Sequence, residues 1–147
     1  MLSVFSDEYF MKEALKEAKK AFDEDEVPVG AIVVCDNKII ARTHNMTEKL
    51  NDVTAHAEML AITSATNFLG GKYLNECTIY ITLEPCIMCA GALYWSQVKK
   101  IIYAAVDEKR GFNSAGKNIL HPKTEVIANV LQKEATELLT TFFKSKR

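Results

Sequence analysis

Two short motifs carry side chains that could bind a metal ion and activate water. His56 and Glu58 are two residues apart, and the Cys-x-x-Cys pair of Cys86 and Cys89 begins 30 residues after His56. A Cys-x-x-Cys pair alone fits a redox dithiol as well as a zinc site, but a histidine that supplies a third ligand favours zinc. Three protein ligands leave one zinc position for water, as in catalytic sites. The pattern therefore indicates a water-activating zinc bound by His56, Cys86 and Cys89.

Glu58 has a separate predicted role. It is too close to His56 in the sequence for both side chains to bind one ion comfortably from the start of a helix, but it can hydrogen-bond a water on that ion. Zinc lowers the pKa of bound water from about 16 to about 7, so hydroxide becomes available at neutral pH. We predict that Glu58 is the catalytic proton shuttle. Glu84, which precedes Pro85, has by itself the character of a surface turn residue.

Periodicity predicts the elements before the first motif. Apolar residues recur at helical spacing between Ser6, a suitable N-cap, and Phe22, and Pro28 follows. Residues 29–35 and 38–43 are typical of a β-hairpin whose two strands are joined by a two-residue polar turn. The sequence therefore predicts an amphipathic helix followed by a β-hairpin.

Each motif is predicted to lie at the start of a helix. The first of these helices begins near Ala55 and stops at the glycines 70–71, and the second spans 87–97 after a strand at 77–83. Because helix N-termini carry partial positive charge, both cysteines should favour the thiolate form.

The chain then continues with a strand, a loop, a second strand and a last helix. We predict strands at 98–106 and 126–130, a loop from Asp107 to Pro122, and a helix that runs through Phe143. The alternation of strands and helices indicates an α/β sandwich with some parallel pairing.

Size and composition indicate one domain of 147 residues. Hydrophobic residues make up 48% and charged residues 25%, and no apolar run approaches the roughly 20 residues of a membrane span. The N-terminus shows no secretory signal, which favours a cytoplasmic location and reduced thiols. Cys35 and Cys77 lie among apolar and β-branched residues, and we expect them to act as small buried hydrophobes.

The charge is distributed unevenly along the chain. The total is -1, but residues 1–98 carry a net charge of -6 and residues 99–147 carry +5. A basic C-terminal third can face a phosphate backbone, and ordinary solvated charge explains it equally well.

Three segments resemble the bacterial tRNA-specific adenosine deaminases in order and spacing. They are EVPVGA at 26–31, TAHAE at 54–58 and TLEPCIMCAGA at 82–92. The resemblance covers most of residues 7–145 and extends the His-x-Glu and Pro-Cys-x-x-Cys signature of zinc-dependent nucleobase deaminases. It implies a single deaminase domain over 1–147, with a three-layer α/β/α sandwich around a central mixed five-stranded sheet.

The same resemblance implies an activity and its participants. The activity is hydrolysis of the wobble adenosine of a tRNA anticodon loop to inosine by a homodimer with one zinc ion per subunit. His56, Cys86 and Cys89 match the zinc ligands and Glu58 matches the proton shuttle.

Three further positions match substrate contacts of the family. Asn45 matches a base contact, and its amide can donate to and accept from a purine edge. Val29 is expected to line the base pocket, and Asp107 matches a position near the flanking nucleotide.

Two other functions stay open. Tyr94-Trp95 is similar to related guanine deaminases, and a deaminase of guanine, another free purine or a nucleoside would use the same metal chemistry. A non-catalytic RNA-binding protein with structural zinc is the second alternative. Glu58 argues against it, because a scaffold gains nothing from a carboxylate beside an open zinc position.

Overall fold

A computed structural model describes residues 5–146 of the protein, apart from the side chain of Lys117. The helices and strands of this range are α1 (Asp7–Asp23), β1 (Gly30–Cys35), β2 (Lys38–His44), α2 (Ala57–Leu69), β3 (Cys77–Leu83), α3 (Ile87–Ser96), β4 (Lys100–Ala105), β5 (Glu125–Ile127) and α4 (Gln132–Lys144). Two short 3-10 helices, Phe112–Ala115 and Lys117–Ile119, lie in the connection between β4 and β5.

The strands form one mixed sheet in the order β2-β1-β3-β4-β5. β1 pairs antiparallel with β2 and with β3, whereas β3, β4 and β5 pair in parallel. In the centre of the sheet, Ile79 of β3 lies opposite Val33 of β1 and Ile101 of β4. The predicted α/β class with a central mixed five-stranded sheet is confirmed.

Helices cover both faces of this sheet. On one face, α1 and α4 bury Phe10, Met11 and Ala135 against Ile32 and Ile102. On the other face, α2 and α3 pack against alternate residues of the same strands, and they contribute Ala57, Ala61, Ala65, Ala90 and Leu93 to the apolar core. Small side chains at four-residue spacing let α2 approach the sheet closely. The predicted three-layer α/β/α sandwich is confirmed.

The hairpin turn has the geometry that its sequence predicts. Asp36 and Asn37 both adopt left-handed backbone conformations, with φ of 53° and 60°. A type I′ turn needs positive φ at both central residues, and aspartate and asparagine tolerate it well. The first helix also begins as predicted, because the Ser6 hydroxyl accepts a hydrogen bond of 3.1 Å from the Tyr9 amide.

The second helix starts later than predicted. α2 begins at Ala57 and not near Ala55, because the Ala55 amide donates to the Asp52 carbonyl and His56 is extended. Its predicted end is confirmed, with Gly70 in the left-handed conformation at φ 73°. Among residues 5–146, no helix is long and apolar enough to cross a bilayer.

The last strand is shorter than predicted and is shifted towards the N-terminus. β5 covers Glu125–Ile127, whereas 126–130 was expected. Asn129 and Leu131 adopt positive φ values of 69° and 57°, which turn the chain out of the extended conformation before α4. The apolar residues Ala128 and Val130 thus belong to a turn that packs against the core before α4. β4 is also shorter than the predicted 98–106 and covers Lys100–Ala105.

Gly30 gives a test of how closely α1 lies on the sheet. A Cβ atom at this position would lie 2.2 Å from the Ala14 carbonyl oxygen and 2.4 Å from the Ala18 nitrogen, both backbone atoms. We expect Gly30→Ala to lower the free energy of unfolding by about 1–3 kcal/mol or more in urea denaturation. Gly71→Ala is the control, since its Cβ would meet nothing within 4 Å and its effect should stay within about 0.5 kcal/mol. Equal stability of both variants would contradict this packing.

Candidate active site

The predicted metal ligands lie at the starts of two helices that pack on the same face of the sheet. His56 is the N-cap of α2 and Cys86 is the N-cap of α3. Neither side chain caps its own helix by a hydrogen bond, so the imidazole and the thiol point to other partners. Cys89 lies one turn into α3 and is fully buried. The topology thus brings together three residues that the sequence separates by up to 33 positions.

The distances between the donor atoms fit a zinc ion. His56 Nδ1 lies 3.7 Å from Cys86 Sγ and 3.5 Å from Cys89 Sγ. Tetrahedral zinc, at about 2.3 Å from sulfur and about 2.0 Å from nitrogen, would hold such atoms about 3.6 Å apart. The three donors form the one group of metal-binding side chains found among the described residues, and no carboxylate joins it as a fourth ligand. The set therefore suits zinc with an open position.

The two thiols interact strongly with each other and with the imidazole. Hydrogen bonds from Cys89 and from His56 lower the pKa of Cys86 to about 3. The hydrogen bond with Cys86, and then burial, raise the pKa of Cys89, while the Cys86 contact raises the pKa of His56. A thiolate is therefore already stabilised at Cys86, and a bound dication would favour a second one at Cys89.

Glu58 lies in the first turn of α2 and is 4% exposed. Burial, followed by the Cys86 thiolate, raises the pKa of its carboxyl to about 7, against the lowering effect of His56. A group that titrates near neutral pH can both accept and release a proton during one reaction. The carboxyl lies close enough to Cys89 to interact with its thiol, so it faces the metal-binding group without belonging to it.

Asn45 has a structural contact that the sequence alone did not reveal. Its Oδ1 accepts a hydrogen bond of 2.8 Å from the Ala57 amide, which is the first amide of α2. The asparagine therefore caps the helix whose N-cap histidine points at the metal-binding group. The side chain is 9% exposed and lines the pocket, where its Nδ2 can still donate.

A cavity of about 210 Å³ adjoins the metal-binding group. Its lining includes all three predicted substrate residues, Val29, Asn45 and Asp107, together with His56, Glu58 and Cys86. The sequence did not single out the other lining residues, which are Val27, Thr47, Leu83, Glu84 and Arg110. A larger open cavity of about 790 Å³ lies between the end of α1 and α4, and none of these six residues lines it.

Two loops supply opposite parts of this lining, and a buried glutamate holds each of them. Glu26, 1% exposed, accepts hydrogen bonds from the Glu48 and Lys49 amides at 3.1 and 2.8 Å. Glu84, 2% exposed, holds the loop after β4, so the surface position expected for it is wrong. The sequence did contain one signal for the burial of Glu84, because this carboxylate directly follows a buried strand.

The Asp107 carboxylate is engaged within its own loop. Its Oδ1 accepts hydrogen bonds from the Lys109 and Arg110 amides at 3.2 and 3.0 Å. This local turn directs the chain so that Asp107 and Arg110 both line the cavity.

The remaining two cysteines lie away from the cavity lining. Cys35 and Cys77 are register partners on β1 and β3, and all four cysteines are free thiols. Cys77 is buried, as predicted, and burial raises the pKa of its thiol to about 12. Cys35 is only half-buried, since it lies at the end of its strand, and its Sγ is 3.7 Å from the Glu76 carbonyl.

Comparison with known proteins agrees with this site. Residues 5–105 match the cytidine and deoxycytidylate deaminase zinc-binding region. The tRNA-specific adenosine deaminase of Aquifex aeolicus is 50% identical over 145 residues, which are 95% of each chain. The chain belongs to the tRNA-specific adenosine deaminase family. It is thus a deaminase with a zinc-binding region that contains His56, Cys86 and Cys89.

Solved structures of two kinds of deaminase are similar to this fold. One, from a study of A-to-I editing by tRNA:A34 deaminases at the wobble position, has a TM-score of 0.84 and 40% identity. The match covers 89% of this chain and 99% of that chain. A guanine deaminase from Bacillus subtilis has a TM-score of 0.67 and 39% identity, over 76% of this chain and 70% of that one. The fold therefore occurs both in a tRNA:A34 deaminase and in a guanine deaminase.

The metal content of variants tests the ligand set. We expect Cys89→Ser to lose most of the zinc of the wild-type protein, because a buried thiolate donor is replaced by a hydroxyl. Glu58→Ala should retain the wild-type content, since its carboxyl lies outside the donor group. Atomic absorption on dialysed protein measures both, with circular dichroism as the control for folding. Zinc loss in Glu58→Ala, or retention in Cys89→Ser, would contradict the assignment.

Proposed function

We propose that this protein hydrolyses the wobble adenosine of a tRNA anticodon to inosine, with one zinc ion per subunit. The observation that carries the proposal is the buried Glu58 carboxyl beside the His56, Cys86 and Cys89 donors in one small cavity. The names of the relatives at 37–50% identity support adenosine in tRNA as the substrate.

The proposed roles follow from the geometry. His56, Cys86 and Cys89 would hold the zinc, which when bound supplies Lewis-acid activation of water. Glu58 accepts a proton from the attacking water and delivers it to the ring nitrogen next to the attacked carbon. It then helps to protonate the departing amine, so that ammonia leaves and a carbonyl remains. Burial raises the pKa of this carboxyl, which makes it a stronger base than an exposed glutamate.

The cavity provides the contacts for one base. At about 210 Å³ it lies below the roughly 300–1,000 Å³ of sites for drug-sized ligands, which suits a single flipped-out base. Asn45 donates from Nδ2 to a purine acceptor while its Oδ1 holds α2. Val29 forms an apolar part of the wall, and Asp107 places its loop near the flanking nucleotide.

The proposed partner outside the base pocket is the anticodon loop of tRNA. Arg110 is exposed and lines the cavity, where a guanidinium can bind a phosphate. Residues 99–147 carry a net charge of +5, which supports an interaction with the phosphate backbone of the tRNA. We place the reaction in the cytoplasm, where free thiols persist, and within one deaminase domain of 1–147.

We also propose that the protein is a homodimer that uses the outer face of α3. This helix contains no charged residue, and a helix that is apolar on all sides is normally buried. Ile87, Gly91 and Trp95 recur at four-residue spacing on one face; Ile87 is 52% and Trp95 77% exposed. A Cβ at Gly91 would meet nothing within 4 Å, so this face has room for a second copy.

The decisive assay compares three substrates. We expect the zinc-loaded protein to form inosine on an anticodon stem-loop with adenosine at the wobble position, and not to deaminate guanine or free adenosine at comparable rates. Turnover of guanine without dependence on a stem-loop would instead support the guanine deaminase alternative. No turnover of any base would support a non-catalytic zinc protein.

Removal of the proton shuttle tests the mechanism in the same assay. Glu58→Ala should lower kcat by at least about 10²–10⁴-fold, the usual contribution of general acid-base catalysis, with folding and zinc content retained. Glu76→Ala, at an exposed position before β3 and outside the cavity lining, is the control and should keep kcat. Unchanged turnover in Glu58→Ala would exclude the proposed mechanism.

The oligomeric state tests the α3 face. We expect sedimentation velocity to show a dimer for the wild type and a shift towards monomer for Trp95→Glu, because a charge would be placed in an apolar interface. Phe143→Glu is the control; this residue is 50% exposed on α4, on the opposite face of the sheet. A wild-type monomer, or the same dimer in Trp95→Glu, would contradict the proposal.

A further inference from the structure

Glu84 joins the end of β3 to the two ends of the loop that follows β4. Its Oε1 accepts a hydrogen bond of 3.0 Å from the Asp107 amide, and its Oε2 accepts one of 3.0 Å from the Asn113 amide. The side chain is 2% exposed, so water does not compete for these bonds. One carboxylate therefore fixes both ends of the seven-residue segment 107–113.

The same loop is attached to the segment that carries the metal ligands. The Phe112 amide donates to the Pro85 carbonyl at 2.9 Å, and Gly111 and Cys86 form an antiparallel bridge. Only glycine fits at 111, because a Cβ there would lie 2.1 Å from the Glu84 Oε2 and 2.5 Å from the Asp107 carbonyl oxygen. The backbone of the loop thus lies directly against the Glu84 carboxylate.

This loop contributes to the cavity wall but not to the metal-binding group. Asp107 and Arg110 line the cavity, and the Asp107 carboxylate orders the turn between them. Glu84 itself follows Leu83 and precedes Pro85, so its carboxylate is set by β3, the central strand of the sheet. The position of this wall is therefore fixed by β3, the same strand that leads into α3.

We propose that Glu84 is a positioning residue for substrate binding, which holds the 107–113 loop as one wall of the base pocket. The inference rests on the proposed function for the identity of the substrate, but the contact between Glu84 and the loop does not. We expect loss of the contact to move Asp107 and Arg110 relative to the base, while the packing of α2 and α3 on the sheet keeps His56, Cys86 and Cys89 in place.

The test uses Glu84→Gln in the zinc-loaded protein of 147 residues. Glutamine keeps the volume but has one acceptor oxygen, so one of the two loop amides faces an NH₂ group and loses its partner. We expect KM for the stem-loop to rise about ten-fold, while kcat changes less than about two-fold and zinc content stays at the wild-type value. Glu76→Gln is the matched control, since Glu76 is exposed before the other end of β3.

Hydrogen exchange supplies a readout that needs no substrate. We expect the amide that loses its acceptor, Asp107 or Asn113, to exchange at least about ten-fold faster in Glu84→Gln, with the amides of β4 unchanged. Unchanged exchange at both amides overturns the contact. Faster exchange with an unchanged KM, or with a loss confined to kcat or zinc, overturns the positioning role. If the wild type does not act on the stem-loop, the proposed function fails, and the same KM comparison is made with the base that is turned over.

A second variant guards against misfolding of Glu84→Gln. Gly111→Ala leaves the carboxylate in the chain and displaces it from the loop, because the added methyl overlaps Oε2. We expect the same separation of KM from kcat and faster exchange at Asp107 and Asn113. Wild-type KM in Gly111→Ala would overturn the proposal. In the double variant Glu84→Gln/Gly111→Ala, the rise in KM should be smaller than the product of the two single rises, because both changes break the same contact.

Discussion

The structure depends on the convergence of two helix N-termini over one face of the sheet. His56 and Cys86 are N-caps of α2 and α3, and Cys89 lies one turn further into α3. Positive partial charge at both helix ends stabilises thiolates, while the packing of the helices fixes the donor atoms 3.5–3.7 Å apart. The strand order determines this arrangement, because β1 and β3 are neighbours and each face admits two helices. Metal binding is therefore a property of the whole sandwich.

The use of N-cap residues as ligands leaves backbone amides that need other acceptors. At α2 the acceptor is the Asn45 side chain, which bonds the Ala57 amide at 2.8 Å and so releases the histidine from capping. The same asparagine lines the cavity. Its replacement would therefore affect the orientation of His56 as well as the contact with a base, and a loss of zinc would distinguish the first effect from the second.

The sequence was sufficient to select the three donor residues that the structure brings together, but it identified only part of the cavity lining. The ligand residues lie in short motifs at helix starts, and the hairpin turn is encoded locally by Asp36 and Asn37, so local patterns were sufficient. The late start of α2 and the short β5 depend on hydrogen bonds and positive φ angles in flanking turns, which carry no periodic signal. The burial of Glu84 was missed because its partners, the amides of Asp107 and Asn113, are 23 and 29 residues away.

This division bears on how the fold selects a base. The chemistry proposed for the His56, Cys86 and Cys89 donors and for the Glu58 carboxyl is the same for adenine and guanine, so discrimination between these bases must come from the remaining cavity wall. That wall consists of Val29 beside β1 and of two loops whose amides are held by Glu26 and Glu84. Because both carboxylates are buried and bind backbone atoms, residues at the loop tips can change without disturbing either attachment. Specificity can therefore vary on loops while the rigid centre stays fixed.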